Sequence, residues 1–581
     1  MKKKIRRFIS ALAAAALLLP TAACTHDEQS RNETVSDDSS FILAASGKVS
    51  VPVVVPDDAD EKATAAAQDF VSMLSRITGD EEIKLVSESE LSAESAAVFI
   101  GHTDRLSKLG IDIPSGYPGK EKCVVVQTDN SLFLAGNDSG EYTGTRFAVT
   151  MLLEHLGCGW FGTDELWHVI PSLSDIDLTG LRLENTPVSS MRRTRISSDD
   201  PELAMRWYEG GIHSLTGHWL PQVCPAELYS EHEDWYALVD GSRDPSRFDY
   251  WHYCYTNEEF AAFIAERVIE KFTAEPQLVS LTIAANDGWN EGWCTCDTCT
   301  SAGNAADQLV CFANNVAKLV YDRFPDKLLQ IYSYHRTFPA PLNSVPLERN
   351  VELILCREAP MQRALDEEYV YPAGIDQISQ IEFTRSWLAN ARDYIEKTSA
   401  QHVAIWDWYC VSAHLVDWQK VFWVQGEVAE RNLKTYLSLG ASYVYYDHGP
   451  LDSYSEPSPG CYDVRWPLWY VAAKLSWDSS LTAEMILRDA CEKLYGDAAE
   501  PMYDFYKALS DASASCEAYS NTWVPPQVRE MYLEAKEEIN EAIESAVAMS
   551  DTLTTEQKAR IDNQFEYWQH MLRFLRMWVC Q

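Results

Sequence analysis

The stretch Leu278-Val279-Ser280-Leu281-Thr282-Ile283-Ala284-Ala285-Asn286-Asp287-Gly288 decides how this chain is read. Its first eight residues have the β-branched, apolar content of a strand and end in a turn. Similar runs occur at Ser190–Ile196, Gly211–Leu215, Trp251–Tyr255, Leu328–Tyr334, Val351–Arg357, His402–Trp406 and Ala441–Tyr446, eight in all. Between and after them, Asn257–Phe272, Asp307–Phe324, Gln377–Lys397, Trp418–Leu439 and Trp466–Ser476 carry helical patterns. Eight β/α units in one continuous stretch predict an α/β fold, a (β/α)8 TIM-like barrel over residues 188–480. An open doubly wound sheet is the competing arrangement. It would show Gly-rich phosphate turns after its first strands, and this sequence has none.

Working outward, residues 48–187 alternate strand-like runs (Ser50–Val55, Ala96–Ile100, Cys123–Gln127, Ser131–Ala135) with amphipathic helical ones (Glu61–Ile77, Tyr142–Leu156), which predicts an N-terminal α/β domain. The run Gly136-Asn137-Asp138-Ser139-Gly140 lacks a Walker lysine and a dinucleotide spacing, so it reads as a turn and helix cap. Residues 481–581 are helical in pattern, with long amphipathic stretches at Val528–Ala548 and Thr555–Met577.

At the other end, Lys2, Lys3, Lys4, Arg6 and Arg7 precede an apolar run from Phe8 to Leu19 that is too short to span a bilayer. This is the layout of a signal peptide over residues 1–24. Thr21-Ala22-Ala23-Cys24 reads as a lipobox, with Thr21 in place of the usual Leu, and Cys24 as the lipidated residue. An ordinary signal peptide with an incidental cysteine is the alternative. Residues 25–47 are mostly polar and acidic, as a disordered tether would be. The expectation is an exported protein, held to the membrane through its lipid anchor only. The 87 acidic against 48 basic residues exclude nucleic acid as a partner. A neutral or weakly charged ligand that stacks on aromatic rings suits the composition better.

In barrel enzymes the chemistry sits where the strands end. The fourth run ends at Asp287, the sixth runs into Glu358, the seventh holds Asp407 and the eighth runs into Asp447. Paired carboxylates hydrolyse glycosidic bonds, one as acid and one as base or nucleophile. Asp287 or Glu358 is expected as the acid, and Asp407 or Glu358 as its partner. His213, His218, Trp219, Trp289, His335, Arg336, Trp406, Trp408 and Asp447 are the expected substrate-binding residues, because sugars pack their C–H faces on aromatic rings. No cofactor is expected for catalysis. Cys294-Thr295-Cys296-Asp297-Thr298-Cys299 offers three thiols in one loop, either for a structural zinc or for a disulfide with a spare thiol. The main rival to a hydrolase is a non-catalytic glycan-binding lipoprotein on a barrel scaffold.

Thr143-Gly144-Thr145-Arg146-Phe147-Ala148 through Leu156-Gly157-Cys158-Gly159-Trp160-Phe161 resembles the N-terminal domain of alpha-glucuronidases and beta-hexosaminidases. His232-Glu233-Asp234-Trp235-Tyr236-Ala237-Leu238, Tyr255-Thr256-Asn257, Asn286-Asp287, the cysteine triplet and Leu494-Tyr495-Gly496-Asp497-Ala498-Ala499 are similar to bacterial proteins of domain-of-unknown-function 4838. The resemblance implies a barrel behind a hexosaminidase-like domain, acting on carbohydrate. Hexosaminidases of this domain order carry an Asp-Glu pair where this chain has Asn286-Asp287, which argues against substrate-assisted N-acetyl chemistry. By position, Arg336 or Arg357 is where an alpha-glucuronidase would meet a sugar carboxylate.

Overall fold

The computed structural model of the chain describes residues 40–194, 200–287, 292–357, 364–365, 387–408, 422, 424, 426–447, 463–514, 530 and 532–577. Cys24, Trp289, Glu358 and the side chains of Trp408 and Asp447 lie outside the described residues.

Seven of the eight predicted runs enter one sheet. Its strands are β1 (Met191–Arg193), β2 (Gly210–Gly211), β3 (Ser214–Leu215), β4 (Ser280–Thr282), β5 (Leu328–Ser333), β6 (Val351–Arg357), β7 (His402–Trp408) and β8 (Ala441–Asp447). Their spatial order is β2-β1-β8-β7-β6-β5-β4-β3, parallel throughout except for the antiparallel β1–β2 pair. The two terminal strands are consecutive in the chain, separated only by Ile212 and His213, so the sheet curls until one short segment borders both ends. Gly211 makes the tight approach there possible, with φ +98° and a Cβ position only 2.2 Å from the Ser190 carbonyl oxygen.

One departure from the expected eight runs follows. Trp251–Tyr255 forms no strand of this sheet. Its only ladder contact is an isolated bridge between Tyr253 and Tyr236. Its aromatic content serves packing instead, since Tyr253 stacks on Phe260 at 4.7 Å and donates its hydroxyl to the Cys224 carbonyl. The β5–β6 connection, for which the sequence shows no helical pattern, holds one 3-10 turn, His335–Thr337. The β1–β2 connection carries the short helix Pro201–Arg206, and those from β3 to β4, β4 to β5, β6 to β7 and β7 to β8 carry Glu258–Ala274, Ala305–Tyr321, Trp387–Thr398 and Gly426–Ser438, with Trp466–Trp477 after β8. Asn257 starts the Glu258–Ala274 helix by accepting from the Phe260 N–H, and Asn304 with Asp307 forms a capping box on Ala305–Tyr321.

Strand alternation divides the side chains into two sets. Met191, Ala284, Tyr332, Ile354, Cys356, Ala404 and Tyr443 fill the inside of the curl, with Tyr334, Trp406 and Tyr445 packed against them. Residues of the opposite parity, such as Leu353, Leu355, Ile405 and Tyr446, join the large core under the helices. Near the amino ends of the strands the interior is polar. Gln330 Nε2 lies 2.9 Å from Glu352 Oε2, 2.8 Å from Ser214 Oγ and 2.9 Å from Ser280 Oγ, and the Tyr443 hydroxyl donates to Glu352 Oε2 at 2.9 Å. Burial pushes the Glu352 carboxyl up, against the opposing effect of these hydrogen bonds.

The N-terminal region forms a six-stranded sheet in the order Arg182–Asn185, Cys123–Thr128, Ser131–Gly136, Val98–Ile100, Val53–Val55, Leu85–Ser87. Helices Glu61–Thr78 and Gly144–His155 cover one face. The Gly136–Gly140 run is a turn, as expected: Asp138 accepts from the Thr145 N–H at 3.0 Å. Gly144 passes so close to it that a Cβ would stand 2.6 Å from the Asn137 nitrogen. The folded chain begins earlier than the expected end of the tether at residue 47. Ile42–Ala45 is a strand paired with Ile176–Asp177, and Phe41 is buried, because Phe41-Ile42-Leu43 is apolar enough to join the core.

Helices Ala483–Tyr495, Ala499–Ala514, Lys536–Ala548 and Thr555–Met577 form the C-terminal region. All three regions form one compact unit. Arg192 pairs with Glu121 at 2.7 Å, Tyr208 stacks on Trp477 at 4.2 Å, and Arg560 donates to the Leu166 and Leu494 carbonyls. Among the described residues, no helix is long and apolar enough to cross a membrane.

Candidate active site

The chain leaves β4 at Thr282 and reaches Asp287 five residues later, at the carboxyl edge of the parallel sheet. The turn is fixed before the carboxylate is reached. Asn286 donates its Nδ2 to the Trp251 carbonyl at 3.0 Å, and its side-chain oxygen accepts from the Asp287 N–H at 2.8 Å. Tyr334, just past β5, donates its hydroxyl to Asp287 Oδ1 at 2.8 Å. His218 Nε2 and His335 Nε2 each stand 3.7 Å from the same oxygen. The Asp287 side chain remains 33% exposed, so the cluster opens to solvent.

Each flanking group is held from behind. The His218 Nδ1 donates to the Ala285 carbonyl at 2.8 Å, which directs Nε2 at Asp287. A carbonyl only accepts, so Nδ1 carries a proton, and Nε2 carries one too only when the ring is doubly protonated. The loop before His218 is pinned where the Gly217 N–H donates to the Tyr332 hydroxyl at 2.7 Å and Thr282 Oγ1 donates to the Gly217 carbonyl at 3.0 Å. His335 adopts φ 46°, a left-handed conformation uncommon outside glycine and one that recurs at functional sites. Burial lowers the His335 pKa and outweighs the neighbouring Asp287 carboxylate. For Asp287 itself burial acts to raise the pKa, but His335, His218 and Tyr334 together hold it below the ordinary aspartate value.

Asp407 is not brought to this cluster. It follows Trp406 on β7 and takes the opposite parity, so its carboxylate lies between the sheet and the helices, 0% exposed. There Oδ1 accepts from Arg357 Nη1 at 2.8 Å and Oδ2 from the Tyr436 hydroxyl of the Gly426–Ser438 helix at 2.5 Å. The downward direction of the Asp287 pKa suits a base or nucleophile better than a general acid, for which a raised value is favourable. Arg357 is committed to Asp407 behind the sheet rather than facing a ligand.

Of the expected binding residues, His218 and His335 join the cluster. Trp406 lines the interior, 5.5 Å from the Tyr332 ring and 4.6 Å from that of Tyr445. Arg336 is exposed beside His335. Trp219 is buried in the main core. His213 lies at the opposite end of its strand: Ser214 pairs with Ser280, seven residues before Asp287, so His213 sits toward the amino edge. Its backbone N–H donates to the Tyr117 hydroxyl of the N-terminal domain. Tyr334 and Tyr332 went unnamed in the sequence reading. Their signal is the two-residue alternation that runs from Tyr332 on β5 to Tyr334 just past its end, both packed with the interior set.

The three cysteines of the loop after Asp287 are joined by a fourth, Cys254. It lies in the run first read as a strand.

Fold and site together define an α/β protein whose curled, largely parallel sheet presents a histidine- and tyrosine-flanked carboxylate at its carboxyl edge. The chain belongs to the family described as domain of unknown function (DUF4838), whose model matches residues 181–507. No curated protein matches it significantly. Among solved structures it is similar to the chitobiase of Flavobacterium johnsoniae, at 10% identity and a TM-score of 0.42, over 92% of this chain and 86% of that one. It is also similar to a family 89 glycoside hydrolase from Clostridium perfringens in complex with PUGNAc, at 10% identity and a TM-score of 0.44, over 87% and 61% of the two chains. A third is the family 20 beta-N-acetylhexosaminidase from Streptomyces coelicolor A3(2), at 13% identity and a TM-score of 0.38, over 80% and 93%.

Proposed function

We propose that this protein is a surface-anchored glycoside hydrolase acting on a neutral or weakly charged poly- or oligosaccharide. One observation carries the reading: a carboxylate held in its ionised form, Asp287, stands at the carboxyl edge of the sheet beside an interior walled by Tyr332, Tyr334, Trp406 and Tyr445. An ionised carboxylate is the base or nucleophile of the two-carboxylate mechanism. Glu358, immediately after β6, is the acid that protonates the leaving glycosidic oxygen. Water supplies hydroxyl to the anomeric carbon and a proton in return. The reaction requires no cofactor. The signal-like pattern of residues 1–24 with Cys24 supports a site outside the cytoplasm on a lipid leash, and the net charge of −39 suits uncharged glycans better than nucleic acid.

The test is product chromatography on plant, mucin and bacterial-wall glycans with the wild type and three variants. Asp287→Asn and Glu358→Gln are expected to lose about 10²-fold or more in kcat while staying folded. Asp407→Asn is expected to keep its turnover per folded molecule. Full activity in both Asp287→Asn and Glu358→Gln would overturn the reading. A Cys24→Ser protein should lose its lipid mass and leave the membrane fraction.

The position of Asp407 behind the sheet favours a second reading, a glycan-binding protein without turnover. Of the three expected catalytic carboxylates, Asp287 alone lies by the interior among the described residues. Saturable glycan binding that Asp287→Asn weakens, with no product from any glycan bound, would select it.

A further inference from the structure

The sulfurs of Cys254, Cys294, Cys296 and Cys299 all lie within 4.8 Å of one another, on two segments some forty residues apart in the chain. Cys254 Sγ is 3.8 Å from Cys296 Sγ and 3.7 Å from Cys299 Sγ. A tetrahedron with zinc–sulfur bonds of about 2.3 Å has sulfur–sulfur edges of about 3.8 Å. A disulfide requires about 2.05 Å and joins thiols in pairs, whereas here Cys254 is equidistant from two partners. The donors around the cluster suit thiolates. The Leu238 N–H points at Cys294 Sγ at 3.3 Å, the Cys299 N–H at Cys296 Sγ at 3.5 Å, and the Thr256 hydroxyl lies 3.0 Å from Cys299 Sγ. Four thiolates around a divalent ion leave a net charge of about −2, and Arg243, whose Nη1 donates to the Tyr236 carbonyl, brings a positive charge to the segment that the cluster ties down. Four sulfur donors with no open position form a structural site, and soft thiolates favour zinc over hard cations.

We propose that these four cysteines bind one zinc ion, and that the ion fixes the loop that follows Asp287. The cluster ties that loop to the Tyr236–Leu238 segment, where the Thr295 N–H donates to the Leu238 carbonyl at 2.8 Å, and to Cys254 just before the Glu258–Ala274 helix. Trp293, one residue before Cys294, stacks on His252 at 4.5 Å, and Asn286 is bonded to the Trp251 carbonyl, so both ends of the Asp287 loop rest on the same Trp251–Cys254 segment. The proposal is independent of the hydrolase reading, because a binding protein would need the same loop held.

The experiment measures metal content of the full-length protein purified without added metal, together with its thiol state after non-reducing digestion and mass spectrometry. The expected result is one zinc per chain, four reduced cysteines at these positions, and zinc released by a mercurial reagent in step with their modification. Cys254→Ser should lower zinc content as far as Cys296→Ser does, while Cys311→Ser leaves it at one. Replacement by cobalt should give thiolate-to-metal charge-transfer absorption, and zinc removal should speed hydrogen exchange at the Leu238 and Thr295 amides. A disulfide among the four, iron in place of zinc, no metal in the wild type, or full zinc in Cys254→Ser would each overturn the proposal. If a serine variant does not fold, the wild-type stoichiometry and thiol state decide.

Discussion

Replacing Asp407 separates a structural carboxylate from a catalytic one. Asp407 and Arg357 are 0% and 1% exposed and bonded at 2.8 Å, and Tyr436 completes the carboxylate's shell. Asp407→Ala leaves the Arg357 guanidinium buried without its carboxylate, which costs about 3–5 kcal/mol. At about 2.1 cal/mol/K per residue, the roughly 540 residues from Ser39 to Gln581 have an unfolding entropy of about 1.1 kcal/mol/K, so the loss appears as a fall in Tm of about 3–4 °C. The assay is differential scanning calorimetry at matched pH, with glycan turnover measured on the same folded samples. The double variant Arg357→Met, Asp407→Leu removes both charges together and should regain most of the loss, since a buried pair is costly mainly when one member is left alone. An unchanged Tm with abolished turnover in Asp407→Ala would refute this account and return Asp407 to the site.

The other predictions concern different parts of the molecule. Tyr334→Phe removes the 2.8 Å hydrogen bond to Asp287, so its pKa should rise and the acid limb of kcat/KM should move to higher pH; an unmoved limb would mean that Asp287 does not set it. Because the folded-state pKa of Asp287 is depressed, its contribution to stability is present above the ordinary aspartate value and lost as pH falls through the folded one, which Asp287→Asn should abolish in acid unfolding curves. Glu352 has the opposite sign. Relative to its charged form, the neutral carboxyl favours the fold below the ordinary glutamate value, and that advantage is lost as pH rises through the raised folded value, so Glu352→Gln should remove this fall, read by urea unfolding at several pH values. Gly144→Ala puts a methyl 2.6 Å from the Asn137 nitrogen and should cost about 1–3 kcal/mol in the same urea assay.

The interior of the sheet differs between its two ends. Its amino half is closed by hydrogen bonds among Ser214, Ser280, Gln330, Glu352 and Tyr443, and its carboxyl half is walled by aromatic rings that lead to Asp287. In the proposed reading, a glycan stacked on those rings would meet the Asp287 carboxylate at the open end. The N-terminal domain supports this arrangement from outside through Arg192–Glu121 and Tyr117–His213 and adds no side chain to the Asp287 cluster among the contacts described.

By itself the sequence determined which segments become strands and helices wherever the local pattern was strong. The runs at 328–334, 351–357, 402–406 and 441–446 all entered the sheet, and the helix expected at 466–476 formed over Trp466–Trp477. These are decided by burial and periodicity, which act between near neighbours. The sequence also marked Asp287, because a strand that ends in Asn-Asp delivers that residue to the carboxyl edge. It held the evidence against Asp407 as well, since a residue between Trp406 and Trp408 must face away from both. Tertiary structure alone decided the rest. Only folding brings His218 and Tyr334, distant in the chain, to the same oxygen of Asp287, and only folding carries Cys254 to three cysteines some forty residues further on. Run 251–255 shows why such contacts were not legible: its β-rich residues met an aromatic core before they met a strand, and no local pattern records which of two apolar environments a segment will reach.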